Sequence, residues 1–587
     1  MFTTIFRYEF RYWLKRPAIY LYSAVFFVMA FVFFAGSAGF FDGPNPGQSV
    51  QQWYNAPYEI NFILQYFNKF FLFLVPALIG SGIYKDYQSQ THLLLYSYPL
   101  EKSAYLWGRF LSALVLVFLI TLAAALGLII ASFLPGLDTN KVGPFRFLAY
   151  AQTYLVYIFP NMLVAGCLVF AVVLRSRNIY AGFGVILFLI LFQKILENLF
   201  AQQPQLIALT DPFGQNTIAY LTQYWTLTER NTQLLPLNQI VLWNRFIWLM
   251  IGFLTVGFAT RWFRFHTSIN LPQFFKKQND EAHTIKTAPT DLNPVALHFN
   301  FDFWGRVKTT WFLSSFDFRY VLRSWLFWSL AGLGLATVLF TLNRVTNQAE
   351  MTMQVATQLV LSAPSILFTN VILLVTFVYT GLLLHRASTA KTDALIDSTP
   401  QPNGLFMAAK FLSIVRIQYS LLLLLLLLGI GFQAWTGFYD FKIGLYAFHL
   451  FIVVGIELMI WTLIALFVHT LFPNFYLGLF ILLLGWVGMQ GLGALGGITP
   501  LVIFNMDAPL LYSDLNGYGT ALLPYFYKKL YWLLFSLLFL TFTFLLWSRG
   551  VKLSFTERLA FVKQRFTKSI AILFSVLLIV FATMAFD

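Results

Sequence analysis

Apolar runs of about 20 residues and more recur along nearly the whole chain. A helix of that length matches the hydrocarbon thickness of a bilayer. Within lipid the backbone must satisfy its own polar groups, which leaves helices and closed barrels. Barrel strands alternate polar and apolar positions over roughly 10 residues, and these runs do not alternate. The chain therefore reads as an all-α integral membrane protein. Its composition agrees: 59% of the 587 residues are hydrophobic and only 10% charged, against about 25% charged in soluble domains. The net charge of +15 does not point to nucleic acid, because the basic residues cluster in short loops beside apolar runs, where they set topology. The expected surroundings are membrane lipid. The one cysteine, Cys167, lies inside an apolar run, which excludes an intrachain disulfide framework and a Cys-rich metal site.

Spans are expected near 18–40, 60–83, 105–133, 147–174, 179–200 and 241–261, and again near 325–342, 358–384, 405–434, 444–471, 475–496 and 528–548. A thirteenth is expected from about 569 to 586. The first run is too long for a signal-peptide core. Basic residues concentrate in the N-terminal segment and in 85–102, 175–177, 261–323, 386–410 and 549–568. Positive-inside bias then places the N-terminus in the cytoplasm. It leaves 201–239 and 497–525 as the long exterior loops. Thirteen spans put the C-terminus outside. The chain stops at Asp587 as that span ends, so the span is expected either to anchor the tail or to lead into an exterior part.

The chain repeats itself. Glu9-Phe10-Arg11-Tyr12-Trp13-Leu14-Lys15 matches Asp317-Phe318-Arg319-Tyr320-Val321-Leu322-Arg323. Thr91, Leu94, Ser97, Pro99 and Phe110-Leu111-Ser112 match Thr392, Leu395, Ser398, Pro400 and Phe411-Leu412-Ser413 without a gap, with Lys85 and Arg109 facing Arg386 and Lys410. Asn178-Ile179-Tyr180-Ala181-Gly182 matches Asn474-Phe475-Tyr476-Leu477-Gly478. Each repeat holds six spans, an even number, so the two share one orientation, as in a parallel repeat. The expected organisation is a first half at 1–265, a cytoplasmic linker at 266–310, a second half at 311–550, and a cytoplasmic segment with the extra span at 551–587. Each half opens on an amphipathic segment. Phe2, Ile5, Phe6, Phe10 and Trp13 share one stripe and Arg7, Arg11 and Lys15 another, the pattern of a helix in the inner interface with its cations toward headgroups. Arg319 and Arg323 occupy the matching positions in the second half.

This pattern resembles the permeases of ABC exporters of the second type. In that class each half has an elbow helix and six spans, and a loop after the second span carries a coupling helix. The loops holding Lys85, Asp86, Thr91, Leu94, Ser97 and Pro99, and Arg386, Thr392, Leu395, Ser398 and Pro400, sit where that helix lies, and their Leu-x-x-Ser-x-Pro core is similar to the family's motif. The likeness covers about the first 550 residues. A narrower likeness is to bacterial permeases that continue, after a thirteenth span, into an exterior zinc aminopeptidase-like domain. The resemblance implies two copies of a separate ABC ATPase that bind ATP and Mg, a place in the bacterial cytoplasmic (inner) membrane, and an exterior peptidase-like domain or partner. No Gly-x-x-x-x-Gly-Lys-Ser/Thr loop and no His-Glu-x-x-His occur in the chain. The expectation is therefore a transport subunit that is not itself an enzyme, with no catalytic, cofactor or metal residues of its own.

Polar residues within spans are costly and mark cavities, gates or interhelical bonds. Glu457 aligns with Asn161, and Asn68, Lys69 and Asn370 are similarly placed; these five are the candidate cavity or gate positions. Lys194 and Glu197, three apart, are expected to pair. Asp86, Asp393 and Asp397 are read as solvated or as ATPase contacts. His266, His283 and His298 lack metal-ligand spacing. Three further readings remain open: a secondary transporter built from two parallel halves, with Glu457 as its coupling carboxylate; a membrane enzyme acting on a lipid-linked substrate; and an ABC-driven complex that does mechanical work without transport.

Overall fold

The computed structural model describes residues 1–40, 53–89, 91–263, 302–348, 356–390, 392–472, 474–494, 503–505, 510, 512–547 and 555–586. The described residues are almost all helical. Twelve helices are long and apolar enough to cross a membrane. Six precede the linker: Pro17–Ser37, Pro57–Tyr87, Lys102–Ala131, Phe147–Ser176, Ile179–Leu199 and Gln239–Trp262 (spans 1–6). Trp325–Thr346, Thr357–Thr389, Asn403–Trp435, Ile443–Leu471, Gly519–Leu546 and Lys568–Ala585 follow (spans 7–10, 12 and 13). The eleventh expected span corresponds to the 20-residue helix Phe475–Ala494.

Both expected elbows are present. Phe2–Leu14 ends at a break where Arg16 is extended (φ −92°, ψ 128°) and Pro17 starts span 1. Proline lacks the N–H that would continue the first helix, but it suits the first turn of the next. The second elbow, Phe303–Leu322, begins ahead of the 311 boundary, and the Trp328 indole donates to its terminal carbonyl at Leu322 (2.8 Å). Arg7, Arg11, Lys15, Arg319 and Arg323 are all exposed on the elbows, as are Phe2, Tyr8, Trp311, Phe312 and Phe316. Cations beside large aromatics suit a helix lying in the interface. The linker histidines His266, His283 and His298 lie outside the described residues.

The core divides into two clusters, and spans 5 and 11 each contribute to both. Ile179, Phe183, Leu187 and Leu191 of span 5 are buried in the second cluster with Leu326 and Leu330 of span 7. Phe480 enters the first cluster against Tyr22 and Phe26 of span 1, at ring distances of 4.9 and 5.4 Å. At their N-terminal starts the two helices meet each other: Phe183 stacks on Tyr476 (5.7 Å) and Tyr180 meets Phe475 edge-on (5.2 Å). Spans 4 and 10 each contain a stretch of π-helix, at Tyr154–Ile158 and Phe448–Val454, just before Asn161 and Glu457.

Without a hydrophobic drive inside lipid, helices associate through close packing at small residues. Gly127 of span 3 shows this: a Cβ there would lie 2.4 Å from the backbone oxygen of Phe27 in span 1. Gly127→Ala should lower thermal stability in detergent by roughly 1–3 kcal/mol, since backbone cannot move aside as a side chain can. Gly332→Ala, a helical site with nothing within 4 Å, should be neutral or slightly stabilising. Equal melting temperatures for the two variants would contradict this packing.

Candidate functional site

Each elbow carries one buried acid, and each acid holds basic residues from the spans behind it. In the first half Glu9 accepts from Arg109 of span 3 (3.3 Å). Arg109 also donates to Asp86 at the end of span 2 (3.2 Å) and to the Gly82 carbonyl. The Tyr105 hydroxyl donates to Asp86 Oδ2 (2.7 Å). Glu9, Asp86 and Arg109 are all buried. Burial pushes the Glu9 carboxyl upward in pKa, against the pull of Arg109 and Lys85. In the second half Asp317 accepts from Arg386 of span 8 (3.1 Å) and Lys410 of span 9 (2.6 Å). A ring completes each arrangement: Lys85 Nζ lies 3.5 Å from the centre of Tyr12, and Arg386 lies 4.0 Å from Tyr320. Glu9 and Asp317, Tyr12 and Tyr320, Lys85 and Arg386, Arg109 and Lys410 are the pairs the two repeats align. Arg416 of span 9 finds its partners on the second elbow, donating to Ser315 (2.8 Å) and lying 4.3 Å from the Trp311 ring.

This changes the reading of three residues assigned to the coupling loops. Asp86 is neither solvated nor offered to a partner; it is buried beneath Arg109. Lys85 and Arg386 face their own elbows. The remaining loop residues form a short helix in each loop, His92–Ser97 and Asp393–Asp397. Thr91 bonds Ser89 at the start of the first (2.9 Å), and Thr392 precedes the second. Leu94 and Ser97 lie in the first helix; their side chains fall outside the described set. Pro99, Pro400 and Ser398 are exposed. Leu395 is 73% exposed and Tyr98 62% exposed, so the loop tips present apolar side chains outward.

The five intramembrane candidates do not come together. Asn161 is buried and held by two partners: its amide donates to the Phe213 carbonyl (2.9 Å) and its oxygen accepts from Arg245 of span 6 (2.7 Å). Arg245 also donates to Asn244 (2.9 Å), and the Asn244 amide reaches back to the Asp211 carbonyl (2.9 Å). The Asp211 carboxylate takes the backbone N–H of Phe213 (3.0 Å) and Asn216 (2.6 Å), while burial raises its pKa. The loop 201–239, expected from the sequence to be exterior, is thus tied to spans 4 and 6. In the second half the Glu457 carbonyl accepts from Asn505 (3.2 Å), whose side-chain oxygen accepts from Lys529 of span 12 (2.7 Å). Asn68 is fully buried with no partner for its amide, and so is its neighbour on the same face, Gln65. Lys69 and Asn370 are half-buried. The expected Lys194–Glu197 pair is present at 2.7 Å.

A cavity of about 600 Å³ opens elsewhere, between the two sets of spans at the end where the elbows lie. Its walls come from the first elbow, the ends of spans 2 and 8, and the starts of spans 1, 5 and 11. Aligned positions face each other across it: Tyr84 and His385, Tyr180 and Tyr476. None of the five candidate gate residues lines it. No group of three metal-ligating side chains occurs among the described residues.

Residues 3–267 match the family model described as ABC-2 family transporter protein. No curated protein matches the chain. The first half is thus similar to that family, and the chain as a whole is a multi-pass membrane protein.

Removing Arg109 strands two buried carboxylates, a loss worth roughly 3–5 kcal/mol for a buried pair. Asp317→Asn should cost less, because Arg386 and Lys410 keep some contact with solvent. Thermal unfolding of Arg109→Met and Asp317→Asn should therefore rank in that order; the reverse order would contradict the burial described. In the loop 201–239, Gly214 has φ +77° and a Cβ there would lie 2.6 Å from Arg245 Nη2. Gly214→Ala should speed proteolysis within 201–239; an unchanged digestion pattern would show that Arg245 does not hold that loop.

Proposed function

We propose that this chain is the membrane permease of an ATP-driven ABC exporter. Two six-span halves, related by duplication, rock against each other under the push of separate ATPase subunits. The observation that carries this reading is the elbow clamp: the half that matches the ABC-2 family model has one, and residues 302–410 repeat it with aligned residues. Each clamp ties an elbow to the ends of the two spans that bracket a loop helix. Force applied at His92–Ser97 or Asp393–Asp397 would reach those spans through buried ion pairs and close packing. Rigid-body rotation of packed halves is a common form of such motion. Spans 5 and 11, meeting at Phe183 and Tyr476, are the natural pivot.

On this reading two ATPase copies dock, one per loop, and supply the ATP and Mg sites. The membrane is the bacterial cytoplasmic (inner) membrane, with the N-terminus cytoplasmic and the end of span 13 exterior. An exterior peptidase-like domain or partner would lie beyond that span.

The test is to purify the tagged chain from its native membranes and assay the eluate for an ABC ATPase. Charge reversals at Lys85 or Arg386 would disturb the elbows, so the informative variants are the exposed loop positions, Tyr98→Glu and Leu395→Glu. The wild-type chain should bring down the ATPase, and each variant should recover at least about fivefold less, the effect of roughly 1 kcal/mol at a contact. An intact chain that brings down no ATPase would overturn the proposal in favour of a secondary transporter, with Glu457 the next position to examine.

A further inference from the structure

The cavity at the elbow end is charged on one side only. The first half contributes Tyr12, Trp13, Arg16 and Lys85, while the second contributes the neutral Ser388, Thr389 and Asn474, together with His385. No carboxylate is among the lining residues. The asymmetry has a structural cause. In the second half the single acid Asp317 serves both Arg386 and Lys410, and Arg386 is drawn away from the cavity. In the first half both acids, Glu9 and Asp86, are taken by Arg109. Neither Lys85 nor Arg16 makes an ion pair among the described residues. Both instead lean on one ring: Arg16 lies 4.5 Å and Lys85 3.5 Å from the centre of Tyr12. Cation–π contact stabilises each cation modestly, and the nearby Glu9 carboxylate is already held by Arg109, so two like charges sit together with only partial compensation.

The backbone does not offset this field. Spans 1, 5 and 11 begin at the cavity, while the first elbow and spans 2 and 8 end there. Helix starts favour anions and helix ends disfavour them, so the dipoles balance and the side chains of Arg16 and Lys85 set the sign. The remaining wall is aromatic and apolar: Tyr22, Ala77, Leu78, Tyr84, Tyr180 and Phe475. A volume of about 600 Å³ falls within the range for drug-sized ligands. It would hold a head group and the first part of an apolar body, with any longer chain continuing between the halves.

We infer that this cavity binds an amphiphile with one anionic head, the head against Arg16 and Lys85 and the apolar body against the tyrosine wall. As a statement about cargo this rests on the exporter reading; as a statement about binding it does not. The anionic head could belong to a membrane lipid or to a soluble aromatic anion, and the two sources share this chemistry.

The experiment uses the full chain in nanodiscs of zwitterionic phosphatidylcholine, without ATPase or nucleotide. Three photoreactive probes are compared: a fatty acid, its uncharged primary-alcohol analogue with the same chain, and a soluble aryl sulfonate. Labelled peptides are mapped by mass spectrometry. At least one anionic probe should label the peptides around Trp13, Tyr84 or Tyr180 about tenfold more than the alcohol does. Arg16→Gln with Lys85→Gln should remove that preference, because it removes the charge-assisted contacts to the head. The charge-conserving pair Arg16→Lys with Lys85→Arg should retain it, which separates loss of charge from loss of fold. Labelling by the fatty acid alone would identify a membrane-borne ligand, and by the sulfonate alone a soluble one; either supports the inference. Equal labelling by acid and alcohol, or a preference that survives the double glutamine variant, would overturn it. Anion labelling in a chain that recruits no ATPase would leave the site standing and remove the exporter reading. ATPase recruitment without anion preference would do the opposite.

Discussion

Everything at the elbow end of the bundle depends on burying an acid under each elbow. The outer face of an elbow carries aromatic side chains and cations, and that alone would leave it free to slide over the spans. Glu9 and Asp317 prevent this by reaching inward to bases that project from spans 3, 8 and 9. A buried charge of this kind is tolerated only when it is paired. The pairing fixes where each elbow sits, where the following span starts, and how the loop helix between the second and third span of each half is presented.

The two clamps solve the same problem with different charge ledgers. The first uses two acids and leaves Arg16 and Lys85 without one. The second uses a single acid for two bases. That difference is invisible in overall composition, yet it decides which wall of the inter-half cavity is positive. The other end of the bundle follows another logic: Arg245 is satisfied by the side chains of Asn161 and Asn244, and Lys529 by the side chain and carbonyl of Asn505, so 201–239 and 503–505 are tied to spans 4 and 10 rather than standing free.

Much of this was legible in the sequence. The apolar runs located the spans, most of them to within a few residues, though span 12 begins at Gly519 rather than near 528; the amphipathic stripe marked the elbow, and the spacing of Lys194 and Glu197 announced their pair. Such features are local, set by length, periodicity and helix geometry. The alignment of Glu9 with Asp317 and of Arg109 with Lys410 was also visible, but not its meaning, because an acid on an elbow and a base in span 3 are joined only by packing. Asp86 looked solvated because its loop is polar, whereas Tyr105 and Arg109 enclose it from the next span. The Asn161–Arg245 contact was hidden for the same reason: it needs 201–239 to fold back, which no periodicity encodes.

The central claim is that each half moves as one body, held by its elbow clamp and pivoting where spans 5 and 11 meet. It is tested most directly by spin-label distances in the chain with its partner ATPase. With Cys167, the single native cysteine, replaced, labels are placed on the two loop helices at Tyr98 and Ser398, and in a second sample within one half at Arg11 and Tyr98. The account predicts that the distance between the loops changes on ATP binding while the distance within the half stays fixed. A change within the half, or loops that keep their separation as ATP is bound and hydrolysed, would contradict it.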